Sequence, residues 1–261
     1  MSTLSFKPEV SGMSLPALRR VDALRPLVWL RLGWRDLARA WPLSLGYGVV
    51  FALLGGLLLA WARQSTHLTL TLLSGFLLLA PFLAISFYAI SSRLEHGLDG
   101  GGPLQFLTPL RRNPTSIGLF AVLLAFILSA WERISALLVG LLLRNDLVAT
   151  GYFNVGLLFS ADHWAFVVVY LVLGAALAAL VFALAVVSLP MMMDREVDTV
   201  TAITTSLWAV ASNPLPMLVW AAVIVGLSLA GMLTALFGMV LVFPLLGHAS
   251  WHAYRDLVQA D

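Results

Sequence analysis

The sequence predicts an all-α protein, a polytopic bundle of transmembrane helices, and three observations carry that reading. First, 61% of the 261 residues are hydrophobic and only 11% are charged, whereas soluble domains carry charge on about 25% of residues. Second, the charges gather into short clusters that leave apolar stretches of membrane-crossing length, about 20 residues each. Third, a proline-led pattern recurs three times along the chain. Most soluble folds are thereby excluded, and a net charge of +2 offers no basic field for nucleic acid. The chain has no cysteine, which removes disulfides, thiolate metal sites and cysteine nucleophiles together.

Residues 1–23 contain Pro8, Gly12, Pro16 and several serines and predict a disordered cytoplasmic segment. No long apolar run lies there, so a cleaved signal peptide is not expected. Residues 24–261 are expected to form a single membrane domain. It opens on an amphipathic stretch, 26–40, where Leu30, Trp34, Leu37 and Trp41 share one side and Arg31, Arg35 and Arg39 are offset from it, as in an interfacial helix. Spans are then predicted at about 42–62, 68–91, 116–143, 164–190, 215–231 and 233–252. The third is interrupted only by Glu132 and Arg133, and the fourth is uncharged throughout. The last apolar run, 215–252, is 38 residues long. As one helix it would measure about 57 Å, too long for one crossing, so a turn is expected near Gly231. A five-span chain is the alternative, because Gly226, Ala230, Thr234 and Gly238 keep a four-residue spacing through the supposed turn.

Each odd span follows a polar or amphipathic segment that ends in a proline, at Trp41-Pro42, Asn113-Pro114 and Asn213-Pro214. Proline suits the first helical turn, where its missing N–H would have no partner, and Asn can cap that turn. Each even span holds one internal proline: Pro81, Pro190 and Pro244. The six spans therefore read as three repeated helical hairpins with short cytoplasmic amphipathic helices. With six spans, twelve basic residues fall on one side: Lys7, Arg19, Arg20, Arg25, Arg31, Arg35, Arg39, Arg93, Arg111, Arg112, Arg195 and Arg255. Only Arg63 and Arg144 fall on the other, which places both termini in the cytoplasm. Gly48, Ala52 and Gly56, four apart on the first span, mark a close helix contact.

Few residues offer chemistry. Glu132 and Arg133 lie inside the third span, where ionisable groups are costly and are suspected of function; adjacent helical positions point about 100° apart, so each needs its own partner. Either Glu132 faces the bundle while Arg133 snorkels past Trp131, or the two mark a proton or solute path. His248 and His252, four apart, share a face, but no Glu follows the first in an H-E-x-x-H pattern and no third metal ligand is evident. Interfacial placement beside Trp251 and Tyr254 explains them more simply. Met191, Met192 and Met193 point different ways on a helix and read as packing residues rather than soft-metal ligands. Asp194 and Asp198 share a face and are expected to pair with Arg195, Arg111 or Arg112 at the cytoplasmic side. Gly100-Gly101-Gly102 lacks the Lys-Ser/Thr of a phosphate loop, and no G-x-S-x-G elbow occurs. No catalytic, cofactor or metal site is predicted.

The run Ser188-Leu189-Pro190-Met191-Met192-Met193-Asp194-Arg195, then Ala202 to Ser206, Asn213-Pro214, Trp220 and the ending Phe243-Pro244-Leu245-Leu246-Gly247-His248-Ala249-Ser250-Trp251-His252-Ala253-Tyr254-Arg255 resembles the DUF2189 family over most of the chain after residue 25. The resemblance implies an integral membrane protein of the bacterial inner membrane and brings no established activity. Some relatives bear a cytochrome c oxidase label, yet five histidines, His67, His96, His163, His248 and His252, are too few for a haem–copper subunit. The expectation is a non-catalytic accessory or assembly partner of a membrane complex, meeting lipid and other membrane subunits. The alternative is a small-solute or ion transporter using Glu132 and Arg133.

Overall fold

The computed structural model describes residues 5–6, 9–10, 13–62, 81, 83–104, 107–143, 163–234 and 236–259, and it is nearly all helical. Four two-residue strands come first: β1 (Ser5–Phe6) pairs antiparallel with β4 (Leu18–Arg19), and β2 (Glu9–Val10) pairs with β3 (Met13–Ser14). The helices are α1 (Arg25–Arg39), α2 (Trp41–Ala62), α3 (Ile85–Glu95), α4 (Leu107–Arg112), α5 (Pro114–Leu142), α6 (Trp164–Ala185), α7 (Ser188–Asp194), α8 (Thr199–Ser212), α9 (Pro214–Leu233) and α10 (Met239–Leu257).

Four helical stretches are long and apolar enough to cross a membrane: Trp41–Trp61, Pro114–Leu142, Trp164–Asp194 and Pro214–Leu233. They coincide with the first, third, fourth and fifth predicted spans. Residues 68–80 and 82 of the predicted second span lie outside the described residues, as does most of the predicted external loop. The final run does break close to the expected Gly231: α9 ends at Leu233, and α10 starts at Met239 and continues to Leu257. Thr234 makes the turn: its hydroxyl donates to the Gly231 carbonyl at 2.8 Å and accepts the Gly238 N–H at 2.7 Å. Leu236 there takes a φ of 71°. A single continuous helix is thus excluded.

In the N-terminal segment Leu15 and Leu18 are buried, Leu18 bridges Val258, and Gln259 N–H donates to the Ala17 carbonyl at 2.9 Å. Unpaired strand backbone gains partners there that polar composition could not reveal. The chain divides into two compact units. One comprises Met1–Ala52, Pro81–Ala121 and Phe182–Asp261; the other comprises Leu53–Ala80 and Val122–Val181. A span bathed in lipid needs no protein partner to bury its apolar side chains, so it adds few contacts to either.

The first unit is built around α10. Gly33 of α1 sits against Ala249, so that an added Cβ would lie 2.6 Å from the Ala249 nitrogen; Gly247 receives the ring of Phe87 of α3, at 2.5 Å from such a Cβ. Glycine is required at both places because backbone meets backbone or ring. Gly48 of α2 presses on the Val240 carbonyl, 2.2 Å from a would-be Cβ. That carbonyl is the one whose intrahelical partner Pro244, lacking an N–H, fails to supply. Of the predicted stripe Gly48 makes such a contact, whereas nothing described lies within 4 Å of a Cβ on Gly56. Phe51, Phe87 and Phe243 meet edge to face at 5.2–6.2 Å.

A second proline break shows the same logic. Pro190 frees the Val186 carbonyl and the helix opens at 186–187 between α6 and α7. The Ser206 hydroxyl of α8 enters the gap, accepting Val187 N–H at 3.2 Å and donating to the Ala183 carbonyl at 2.7 Å. Those two groups would otherwise have bonded each other. Pro114 and Pro214 begin their helices as predicted, and Pro42 is second in its own. Asn213, however, makes no capping bond. Its amide instead pairs with extended backbone, accepting from Val21 N–H at 2.9 Å and donating to the Arg19 carbonyl at 3.1 Å.

The other unit holds the remainder of α2, α5 and α6. Here Trp131 and Tyr170 meet at 5.0 Å, Tyr170 and Phe166 at 5.4 Å, and Gly174 leaves room for the Trp131 ring. Val139, Leu143 and Phe166 form its buried centre.

Gly33→Ala is expected to push α1 away from α10 and cost about 1–3 kcal/mol, the usual range for overpacking. Gly46→Ala on α2, with nothing within 4 Å of the added carbon, serves as the control. Thermal unfolding of the detergent-solubilised proteins, followed by size-exclusion recovery, checks the difference; equal melting temperatures would contradict the close packing.

A buried polar relay on the last helix

Helix α1 reads from sequence as an interfacial helix with Leu30, Trp34, Leu37 and Trp41 on one side. The side turned into the protein is Trp29, Gly33, Asp36 and Leu37, while Trp34 and Trp41 face outward. In a membrane protein the most apolar stripe is free to face lipid, so hydrophobic periodicity does not identify the protein-facing side. A carboxylate, Asp36, is consequently buried at 2% exposure.

Its partners come from α3 and α10. Ser91 Oγ donates to Asp36 Oδ2 at 2.8 Å, and His252 Nε2 lies 2.7 Å from the same oxygen. His248 Nδ1 is 2.8 Å from Ser91 Oγ, and its Nε2 is 2.9 Å from Ser44 Oγ of α2. The bonding assigns the protons. A carboxylate only accepts, so the Ser91 hydroxyl proton points to Asp36 and the Ser91 oxygen accepts Nδ1–H of His248. Nε2 of His248 then accepts from Ser44, and every donor is aimed toward Asp36. Burial acts to raise the Asp36 carboxyl, but the hydrogen bond and charge of His252 and the Ser91 hydroxyl outweigh it and hold the group below its ordinary value.

A second set of contacts flanks the relay on the polar end of α10. Arg255 pairs with Glu95 Oε1 at 3.0 Å and Asp194 Oδ2 at 3.2 Å. Trp251 Nε1 donates to Glu95 at 3.0 Å, and Tyr254 donates its hydroxyl to Asp194 at 2.7 Å while accepting from Arg195 at 3.2 Å. Asp256 takes Arg25 Nε at 2.6 Å and Trp29 Nε1 at 2.8 Å.

The residues singled out from sequence are thus dispersed. His248 and His252 do share a face, but inside the protein rather than at an interface. Asp194 joins Arg255 and Tyr254, with Arg195 Nε 3.9 Å away. Asp198 shares no face with it: Asp198 caps α8, accepting from Thr201 N–H at 2.9 Å and its hydroxyl at 2.5 Å, which lowers its carboxyl from the ordinary value. Glu132 is half-buried and Arg133 exposed, both on α5 in the other unit. Asp36, Ser91, Ser44 and Glu95 were missed. One signal for Asp36 stood in the sequence, a lone acid among Arg31, Arg35 and Arg39.

Chemically, the order matters. In a hydrolytic triad the histidine stands between serine and carboxylate; here Ser91 stands between His248 and Asp36. Ser44, Ser91 and His248 are fully buried, leaving no place for a reacting atom within about 3 Å. Among the described residues no three His, Asp or Glu side chains form a metal-holding group.

A family model described as predicted integral membrane protein, DUF2189, matches residues 68–194. Of the run that suggested the resemblance, only Ser188–Asp194 lies inside that match. No curated protein and no solved structure matches the chain.

A carboxyl held below its ordinary value of 3.8 contributes stability above that pH and loses it as pH falls through the lower folded value. Thermal stability of the wild type is therefore expected to drop more steeply below pH 3.8 than that of Asp36→Asn. Asp36→Ala, which leaves His252 and Ser91 unanswered, is expected to cost about 3–5 kcal/mol at neutral pH. Identical acid profiles for wild type and Asp36→Asn would remove Asp36 from this role.

Proposed function

We propose that the chain, whose residues 68–194 match a family model of predicted integral membrane proteins, is a multi-pass inner-membrane protein, both termini cytoplasmic, acting without catalysis as an accessory or assembly partner of a membrane complex. The observation that carries this reading is the closed polar relay. The chain's most reactive groups, Asp36, Ser91, His248 and Ser44, are spent on bonds to one another and are sealed from any ligand. Much of the long helices' outward surface is apolar, including Leu57, Phe126, Leu171 and Leu218, suited to lipid and to other spans.

The three-hairpin organisation is part of the same proposal, and three junction contacts support it. Gly100, ahead of α4, packs on Ala40 at the start of the first hairpin. Val197, ahead of α8, accepts from Asn113 Nδ2 at 2.8 Å at the start of the second. Arg19 and Val21, ahead of α1, are held by Asn213 at the start of the third. Each hairpin start touches the segment leading into the next, and the third closes on the first, as a cyclic arrangement of three units requires.

Isolation of the chain from native membranes in mild detergent is expected to yield a defined complex with another membrane subunit in fixed stoichiometry. The transport reading draws on Glu132, half-buried on a span. A chain that purifies only as itself, and whose reconstituted vesicles move a solute in a way abolished by Glu132→Gln, would replace the accessory reading with that one.

The orientation has its own test. Because the natural chain lacks cysteine, a single Gln259→Cys variant is expected to react with a membrane-impermeant maleimide in inverted vesicles and not in intact spheroplasts. The opposite labelling would reverse the assigned topology.

A further inference from the structure

Helices α3, α4, α7 and α10 converge on a half-open cleft of about 320 Å³, within the size range of small-molecule sites. Its charged lining is mostly basic. Arg93 and Arg112 line it together with Ser92, His96, Thr108 and Trp251. Arg112 is exposed and has no hydrogen-bond or ion-pair partner among the described residues. Arg93 bonds Asp99 at 2.8 Å, and Asp99 is itself largely exposed. His96 Nδ1 is 2.7 Å from the Ser92 carbonyl, an acceptor, so it carries the proton and Nε2 remains for a ligand. One acid lines the cleft, Asp194, and it is already answered by the Tyr254 hydroxyl and Arg255.

We infer that this cleft is a binding site for a phosphate-bearing ligand. Two arginines and two hydroxyl residues lining one cleft are the donor types that phosphate oxygens take, and an unpaired arginine on a polar cleft loses little in exchanging water for an anion. The phosphate belongs either to a phospholipid headgroup or to a soluble organic phosphate. This inference is independent of the accessory reading, since it rests on other residues.

The full chain in a neutral detergent is titrated with radiolabelled dioctanoyl phosphatidylglycerol and, separately, glycerol 1-phosphate, with binding read by scintillation proximity. Arg112→Gln is expected to weaken binding of the accepted probe by roughly tenfold, the worth of one charge-assisted hydrogen bond. Arg112→Lys, which keeps the charge, should lose only part of that. Arg31→Gln, an exposed arginine of α1 outside the cleft, should change nothing. Saturable binding of either probe with this dependence supports the site, and the probe that binds identifies the source of the phosphate. Failure of both probes to bind, or equal weakening by Arg31→Gln and Arg112→Gln, would overturn it.

Discussion

A carboxylate taken out of water must be surrounded by donors or not be charged at all, and Asp36 imposes that demand on the first unit of this protein. Its two main donors come from different helices, Ser91 of α3 and His252 of α10. Both reach it only because α1 lies against α3 and α10 at once. Gly33 and Gly247 make that approach possible by removing a Cβ from each interface. His248 then falls one turn from His252 on the same face and extends the chain of bonds to Ser44. The relay is therefore as much a register device for three helices as a polar site, and the pairs Arg255 with Glu95 and Arg25 with Asp256 continue the same seam toward the end of α10.

The prolines pose the converse problem, acceptors without donors. Hydrocarbon offers no water to freed carbonyls, so breaks in apolar helices must be repaired from within the protein. Ser206 repairs the break before Pro190 by inserting a hydroxyl between two groups of α6 and its exit turn. Thr234 does the equivalent for the turn ahead of α10. Gly48 brings α2 against the Val240 carbonyl opposite Pro244. Hydroxyls and missing side chains, rather than ionic groups, are thus what make broken helices tolerable in this chain.

The sequence was legible where the signal is local. Span positions at Trp41–Trp61, Pro114–Leu142 and Pro214–Leu233 follow from charge-free length and from prolines that can only start a helix. It was less legible where two sides of a helix compete. On α1 the apolar count favours Trp34 and Trp41, yet the protein takes the side with Asp36, because lipid accepts tryptophan and rejects a carboxylate. Asn213 shows the same limit: its helix-capping identity is clear from sequence, but a neighbouring strand offers it better partners.

By itself, then, the sequence determined that this chain is built for a bilayer and where its apolar helices run, since hydropathy acts residue by residue. Only the tertiary structure decided that His248 and His252 are buried with Asp36, that Asp194 answers Tyr254 and Arg255, and that Asp198 caps a helix apart from them. Those outcomes depend on which residues distant in the chain are brought within about 3 Å of one another, and no single stretch of sequence carries that distance.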